Sequence, residues 1–515
     1  MPVLTTISDV LQAGADDATA ICAPGVQPLS YRALRQQVAQ ATATLYELGL
    51  ERQDRVAIVL PNGPEMATAF LSVAAAACAA PLNPAYRADE FEFYLTDLRA
   101  KALIVEHGSQ SAALAVADRL GIPVLELLPT GAGAGAFSLA AAGAGLAAAS
   151  ALAAGAGRPG VAAADDLALI LHTSGTTSRP KIVPLSQANI CASAGNVRDT
   201  LQLTARDTGL NIMPLFHIHG LIAGLLAPLA AGGAVFCTPG FNALKFFAWM
   251  EEAKPSWYTA VPTMHQAIVA RGAHNQAIIA AHPLRFLRSS SASMPPQVIA
   301  ELEALFGAPL IEAYGMTEAA HQMASNPLPP AQRVPGSVGL AAGPQVAIMD
   351  QQGQLLAAGA TGEIVIRGPN VTAGYENNPK ANAEAYVDGW FRTGDQGTMD
   401  EQGYVRITGR LKEIISRGGE KISPREVDEV LMDHPAVQQV VTFGIPHDKL
   451  GEEVGAAVVL HAGQAANEKE LREFVAIRLA DFKVPRKILF LDEIPKGATG
   501  KLQRIGLAQK LGLAN

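Results

Sequence analysis

Four cysteines are few for a chain of 515 residues, and they are badly placed for disulfide or metal chemistry. Cys22, Cys78, Cys191 and Cys237 lie far apart and form no C-x-x-C pair, which points to a reduced, disulfide-free setting. Positive charge is also scarce. The 39 Lys and Arg against 47 Asp and Glu leave a net charge of −8, and no long basic run is present. That balance argues against a dedicated nucleic-acid binder. Met1 to Asp16 has no basic stretch leading into an apolar core, so no signal peptide is expected. The last residues, Gly512-Leu513-Ala514-Asn515, are not a peroxisomal S-K-L address. The run Leu139 to Gly157 is uncharged and nearly long enough to cross a bilayer, but it is mostly Ala and Gly. Such a run gains little on transfer to lipid, so it reads as a surface helix or loop. The expectation is a soluble cytoplasmic protein with no membrane partner.

Two common nucleotide signatures are missing as well. G-x-x-x-x-G-K-[ST] does not occur at the glycine-lysine loop near residue 175. The G-x-G triplets in the Ala/Gly-rich stretch Pro129 to Asp165 neither follow a strand nor open a defined helix, so they are not a dinucleotide fingerprint. The composition is 49% apolar and 17% charged, enough for large cores in more than one domain.

The apolar residues alternate helix-like and strand-like. Tyr31 to Leu48 carries Leu34, Val38, Ala41, Leu45 and Leu48 on one side, a helical spacing. Arg55 to Leu60 reads as a buried strand, Glu65 to Ala80 as a helix, and Pro81 to Pro84 as a strand end and turn. This alternation predicts a parallel sheet covered by helices. From about Val334, regularly spaced glycines separate short apolar runs, which predicts short antiparallel strands in a small barrel-like part. A smaller α+β unit begins near Leu411. Its helix opens at Ser423-Pro424-Arg425-Glu426, a capping-box pattern that makes Glu426 structural.

Four motifs carry chemistry. An apolar run, Leu167 to Leu171, leads into Thr173-Ser174-Gly175-Thr176-Thr177-Ser178-Arg179-Pro180-Lys181. Hydroxyls and backbone N–H groups can ring anionic oxygens, Gly175 permits close approach and Lys181 adds a point charge. A plain Ser/Thr-rich surface turn has the same composition. Tyr314-Gly315-Met316-Thr317-Glu318 places a carboxylate beside a hydroxyl at a strand end, which suits Mg²⁺ shared with phosphate oxygens. Trp390 to Asp395, with Gly409-Arg410, offers a carboxylate able to take two vicinal hydroxyls. A Gly-Asp β-turn and a surface arginine would look alike. Pro495 to Arg504 would ordinarily be a solvated basic turn.

In this order and at this spacing, the four resemble the adenylate-forming superfamily of acyl-CoA synthetases, luciferases and adenylation domains. The resemblance runs from Thr173 to Arg504, and the alternation from Tyr31 suits it. It implies an α/β fold: a large N-terminal domain of two doubly wound subdomains plus a small β-barrel-like part, and a small mobile α+β C-terminal domain. The implied division is 1–411 and 412–515. The implied reactants are ATP with Mg²⁺, a carboxylic acid and coenzyme A. By the same resemblance, Thr173, Ser174, Gly175, Thr176, Thr177 and Lys181 hold phosphates. Ser291, Ala292, Ala313, Tyr314 and Gly315 line the adenine. Thr317 contacts phosphate and Glu318 takes the metal. Asp395 and Arg410 bind ribose, and Lys412 is the hinge. Gly418 and Gly419 line the pantetheine path, and Lys501 is the catalytic lysine. His217 gates the acyl carbonyl.

Ser289-Ser290-Ser291 and Ile182 depart from the commoner family pattern. The wording of the motifs, F-H-I-H-G, W-Y-T-A-V-P-T and R-S-S-S-A-S among them, is similar to the oxalate–CoA ligase branch. His219, Ser291 and His321 are the implied oxalate contacts, and nearby Arg288 adds to a polar pocket suited to a small acid. Packing histidines and a turn serine remain the alternative for each. Rival functions are the same chemistry on another small, aromatic or medium-chain acid, loading of a carrier protein, and a silent nucleotide- or RNA-binding regulator. The resemblance allows a monomer or a homodimer.

Overall fold

Helix Tyr31–Glu47 buries Tyr31, Leu34, Val38, Ala41 and Leu45, the stripe its spacing predicts, and the Ser30 side chain caps it by accepting from Ala33 N. The computed structural model describes residues 4–141, 162–173, 180–495 and 504–514. These form two compact units. The first comprises the described residues within 1–173, 181–345 and 367–382, and the second those within 174–180, 346–366 and 383–515.

Among its described residues, the first unit is built on two sheets. One has seven strands in the order Phe137–Ala141, Val124–Pro129, Ala102–Glu106, Arg55–Val59, Cys78–Pro81, Leu167–His172 and Ile182–Ser186. Its centre is parallel and its two edge pairs are antiparallel. The other has nine strands, with a parallel core that includes Ala234–Cys237, Thr208–Asn211, Trp257–Ala260, Phe286–Ser289 and Leu310–Met316. Helices cover strands buried on both faces, such as Trp257–Ala260, which is why these strands read as apolar runs rather than alternations.

The expected helix Glu65 to Ala80 is corrected. The helix is Pro64–Ala76, and Cys78–Pro81 is a strand between Arg55–Val59 and Leu167–His172. Alanine is the best helix former, but propensity is a weak determinant, and strand pairing on both sides overrides it. Leu139 to Ala141, expected in a surface helix or loop, belongs to the edge strand Phe137–Ala141 on Val124–Pro129. The rest of that run, 142–157, lies outside the described residues.

The second unit carries two five-stranded sheets among its described residues. The first is antiparallel through Gly362–Arg367, Trp390–Met399 and Val405–Arg410. The second is mostly antiparallel and packs helices Pro424–Met432 and Glu468–Ala476 around Val427, Leu431, Val440, Val458 and Leu471. The capping box expected at Ser423 does not form. The Ser423 hydroxyl donates instead to the Thr408 carbonyl, and Glu426 pairs with Lys483 at 2.7 Å. Glu426 is therefore structural by a different contact from the one expected. No helix among the described residues is long and apolar enough to cross a membrane.

Candidate active site

Three parallel strands of the nine-stranded sheet set the site's frame. Trp257–Ala260, Phe286–Ser289 and Leu310–Met316 align Thr259 with Arg288, and Arg288 with Ile311. Ligands of such sheets sit beyond the carboxyl ends of the strands. There the chain turns sharply. Ser291 has φ +76°, Ala320 +45° and His321 +101°, all in the left-handed half of backbone space. Each such residue costs about 1–3 kcal/mol and persists only where the surroundings fix it. They do so here. Asn370 Nδ2 donates to the carbonyls of Ala319 (2.8 Å) and Gln322 (3.0 Å), and Thr372 N donates to that of Glu318 (2.8 Å). Gly315 is required at this turn, because a Cβ there would lie 1.7 Å from the His321 carbonyl oxygen.

His219 opens a π-helical stretch, His219–Leu226, a geometry that concentrates at functional sites. Gly220 permits it, since a Cβ would stand 2.2 Å from the Pro214 carbonyl oxygen. The His219 ring stacks on that of His321 at 4.9 Å and 19°. Its Nδ1 lies 3.1 Å from Ser291 Oγ, and its Nε2 lies 2.6 Å from Thr259 Oγ1. Thus the three sequence-predicted acid contacts, His219, Ser291 and His321, come together although they are spread over about a hundred residues. Behind them lies Arg288, 0% exposed. It donates to Thr259 Oγ1 (3.3 Å) and Gln322 Oε1 (3.2 Å), and it reaches His321 Nε2 at 3.1 Å and His219 Nε2 at 3.4 Å. Burial pushes its guanidinium down to about 9. Thr259 and Gln322 were missed by sequence reasoning. Thr259 sits in the W-Y-T-A-V-P-T wording, but only the strand register gives it a role. His217 is half-buried two residues before His219, with its ring 4.7 Å from that of Phe216.

The candidate phosphate loop is joined at its two ends, Thr173 and Lys181. Thr173 N donates to the Lys181 carbonyl at 3.0 Å, and Lys181 N donates to Thr173 Oγ1 at 3.2 Å. Ser174, Gly175, Thr176 and Thr177 lie outside the described residues. Ile182 is buried and pairs with His172. Glu318 is also buried, and its Oε1 accepts from Tyr375 Oη at 2.8 Å. Lys181 Nζ stands 4.2 Å from the centre of the Tyr375 ring. Tyr375 therefore joins the loop lysine to the acidic turn. Nothing in the sequence around it signalled this. Thr317 shares that turn with Glu318, and Ala313, Tyr314 and Gly315 end the strand before it, the first two buried. Ala292 follows Ser291 in the exposed part of its loop. No three of His, Cys, Asp or Glu among the described residues form a metal cage. One carboxylate beside a hydroxyl instead fits Mg²⁺, which keeps waters and shares phosphate oxygens rather than taking an all-protein site.

In the second unit, Asp395 and Arg410 face each other across paired strands, with Oδ1 and Nε 2.9 Å apart. Lys412 lies in the short turn Leu411–Glu413. Gly418 (φ +59°) and Gly419 (φ +96°) form the two-residue turn between strands Ile415–Arg417 and Glu420–Ile422. Lys501 lies outside the described residues. Arg504, three residues on, pairs with Glu413 at 3.2 Å and with Asp428. It thereby ties the segment after Lys501 to the residue next to Lys412.

This fold and these residue clusters are those of an AMP-binding enzyme. The AMP-binding enzyme family model matches residues 10–376, and the AMP-binding enzyme C-terminal domain matches 426–501. The chain belongs to this family, and it is a carboxylate–CoA ligase working with ATP, Mg²⁺ and coenzyme A. It is 46% identical over 494 residues to a protein of Humulus lupulus named probable CoA ligase, covering 95% of this chain and 92% of that one. It is 44% identical over 504 residues to the oxalate–CoA ligase of Arabidopsis thaliana, covering 96% and 95%. Among solved structures it is similar to ATP-bound MatB from Rhodopseudomonas palustris, with a TM-score of 0.86 and 30% identity over 99% of this chain and 98% of that one.

Proposed function

We propose that the acid is oxalate, converted with ATP and coenzyme A to oxalyl-CoA, AMP and diphosphate through an oxalyl-adenylate. The observation that carries this reading is the cluster of His219, Ser291 and His321 backed by buried Arg288. Donors concentrated this closely suit a short acid with two carboxyl groups. A long apolar acid would leave them unsatisfied, and each buried polar group left without a partner costs about 1–3 kcal/mol.

The residue roles are proposed with it. Thr173 to Thr177 and Lys181 hold the β- and γ-phosphates, and Thr317 adds a hydroxyl. Glu318 holds Mg²⁺, which offsets phosphate charge when bound. Ala292, Ala313, Tyr314 and Gly315 line the adenine, and Asp395 and Arg410 take the ribose. One oxalate carboxylate attacks the α-phosphorus, and diphosphate leaves. Lys501 stabilises the charge that develops on the oxygens, a contact of the kind worth about 3–4 kcal/mol. Coenzyme A then enters past Gly418 and Gly419, and its thiolate displaces AMP beside the His217 gate. A turn about Lys412, at the 411/412 division, separates the two half-reactions. No protein nucleophile is needed, because positioning and charge stabilisation suffice. Mass-spectrometric detection of oxalyl-CoA and AMP in a reaction of protein, Mg·ATP, oxalate and coenzyme A tests this. Absence of both products, with turnover on another acid, overturns the oxalate reading.

A further inference from the structure

Arg288 is a fully buried cation, and among the described residues no carboxylate pairs with it. Buried charges are ordinarily neutralised by a partner, so an unpaired buried guanidinium is a place prepared for an anion. Its bonding is equally informative. A guanidinium only donates, so the Nε2 atoms of His219 and His321 that it faces at 3.4 Å and 3.1 Å are acceptors. Each imidazole then carries its proton on Nδ1. For His219 that proton points to Ser291 Oγ, 3.1 Å away, which leaves the serine's own hydrogen to donate onward. Thr259 fits the same scheme, accepting from Arg288 Nη1 at 3.3 Å and donating to His219 Nε2 at 2.6 Å. Among the described residues, the Arg288 Nε atom has no hydrogen-bond partner.

We infer that Arg288 is the positioning residue that selects the acid. It fixes both histidines as neutral Nδ1–H donors and supplies the buried positive charge opposite the carboxylate that is not activated. This inference rests on the oxalate reading of the same site and narrows it to short acids carrying a second negative charge. That second carboxylate keeps its charge through both half-reactions, so the selection acts at binding and appears in KM. Binding a two-carbon acid with one charge, such as glyoxylate, leaves Arg288 without its counter-ion.

The test is the ratio of kcat/KM for oxalate to that for glyoxylate, measured by pyrophosphate release with kcat and KM resolved, in the natural protein and in Arg288→Gln and Arg288→Lys. In Arg288→Gln the ratio is expected to fall by roughly 10–150-fold, the worth of hydrogen bonds to a charged group, mainly through the oxalate KM. Arg288→Lys keeps the charge but cannot reach both histidines in one plane, so its ratio falls as well. A purely structural arginine would lower both acids in proportion, and an unchanged ratio in either variant overturns the inference. If Arg288→Gln does not fold, Arg288→Lys carries the same reading. A natural protein that does not prefer oxalate overturns the oxalate reading itself. A natural protein that prefers it, with a ratio that survives in the variants, overturns only the role of Arg288.

Discussion

Tyr375→Phe isolates one oxygen at the centre of the proposed nucleotide site. The Tyr375 hydroxyl donates to Glu318 Oε1 at 2.8 Å in a buried setting, while Lys181 Nζ lies 4.2 Å from the ring centre. Removing the hydroxyl deletes a hydrogen bond to a charged group, worth about 1.5–3 kcal/mol, or roughly 10–150-fold. It leaves the ring, and with it the cation–π contact of about 0.5–2 kcal/mol. Tyr375→Leu removes both and should fall further, by roughly 2- to 30-fold beyond Phe. The assay is pyrophosphate release with varied Mg·ATP at saturating oxalate, with thermal melting to confirm the fold. The expected order is natural protein, then Phe, then Leu, with the loss in kcat/KM for ATP. Activity of Tyr375→Phe within twofold of the natural protein would refute the idea that this hydroxyl orients the proposed metal carboxylate.

Gly315→Ala should fail to fold or melt far lower, because its Cβ would fall 1.7 Å from the His321 carbonyl and overpacking of a rigid turn has no cheap relief. An unchanged melting temperature would contradict this. His265 is buried between Tyr258 Oη (3.1 Å) and the Arg288 carbonyl (3.2 Å), and burial holds its imidazole down to about 4. The unfolded chain takes up that proton near pH 6.5, so stability should fall as pH drops from about 6.5 toward 4, by roughly 2–4 kcal/mol in all. Urea titrations at pH 7 and 5 should show a smaller decline for His265→Gln than for the natural protein, and equal declines would exclude His265 as the source. Lys501→Ala should still bind ATP but lose roughly 10²–10³ in adenylate formation. Full acyl-CoA formation by this variant would remove the proposed mechanism. Arg504→Met leaves Glu413 and Asp428 without their cation and should destabilise the second unit by about 3–5 kcal/mol. A denaturation midpoint equal to that of the natural protein would show the pairs to be idle.

The fold's outline was legible because long, periodic segments such as Tyr31–Glu47 and buried runs such as Leu167–His172 announce their period. It failed where neighbours override local preference. Cys78–Pro81 looks helical in an alanine-rich run and is a strand because strands lie on both sides of it. Ser423 has a capping pattern and bonds elsewhere because the Thr408 carbonyl is within reach. The candidate acid site was legible only as separate residues. Nothing local to His219, Ser291 or His321 says that they meet. The parallel register of Thr259 and Arg288 and the turns at Ser291 and His321 bring them together. Tyr375 and Gln322 had no local signal, since their roles come from long-range contacts alone.

The central claim, that this ligase activates oxalate, is tested most directly by pyrophosphate release from the natural protein across a panel of oxalate, glyoxylate, acetate, octanoate and coumarate. The account predicts the highest kcat/KM for oxalate and little turnover of octanoate or coumarate. If octanoate or coumarate clearly outruns oxalate, the polar cluster around Arg288 does not read the acid and the account is wrong.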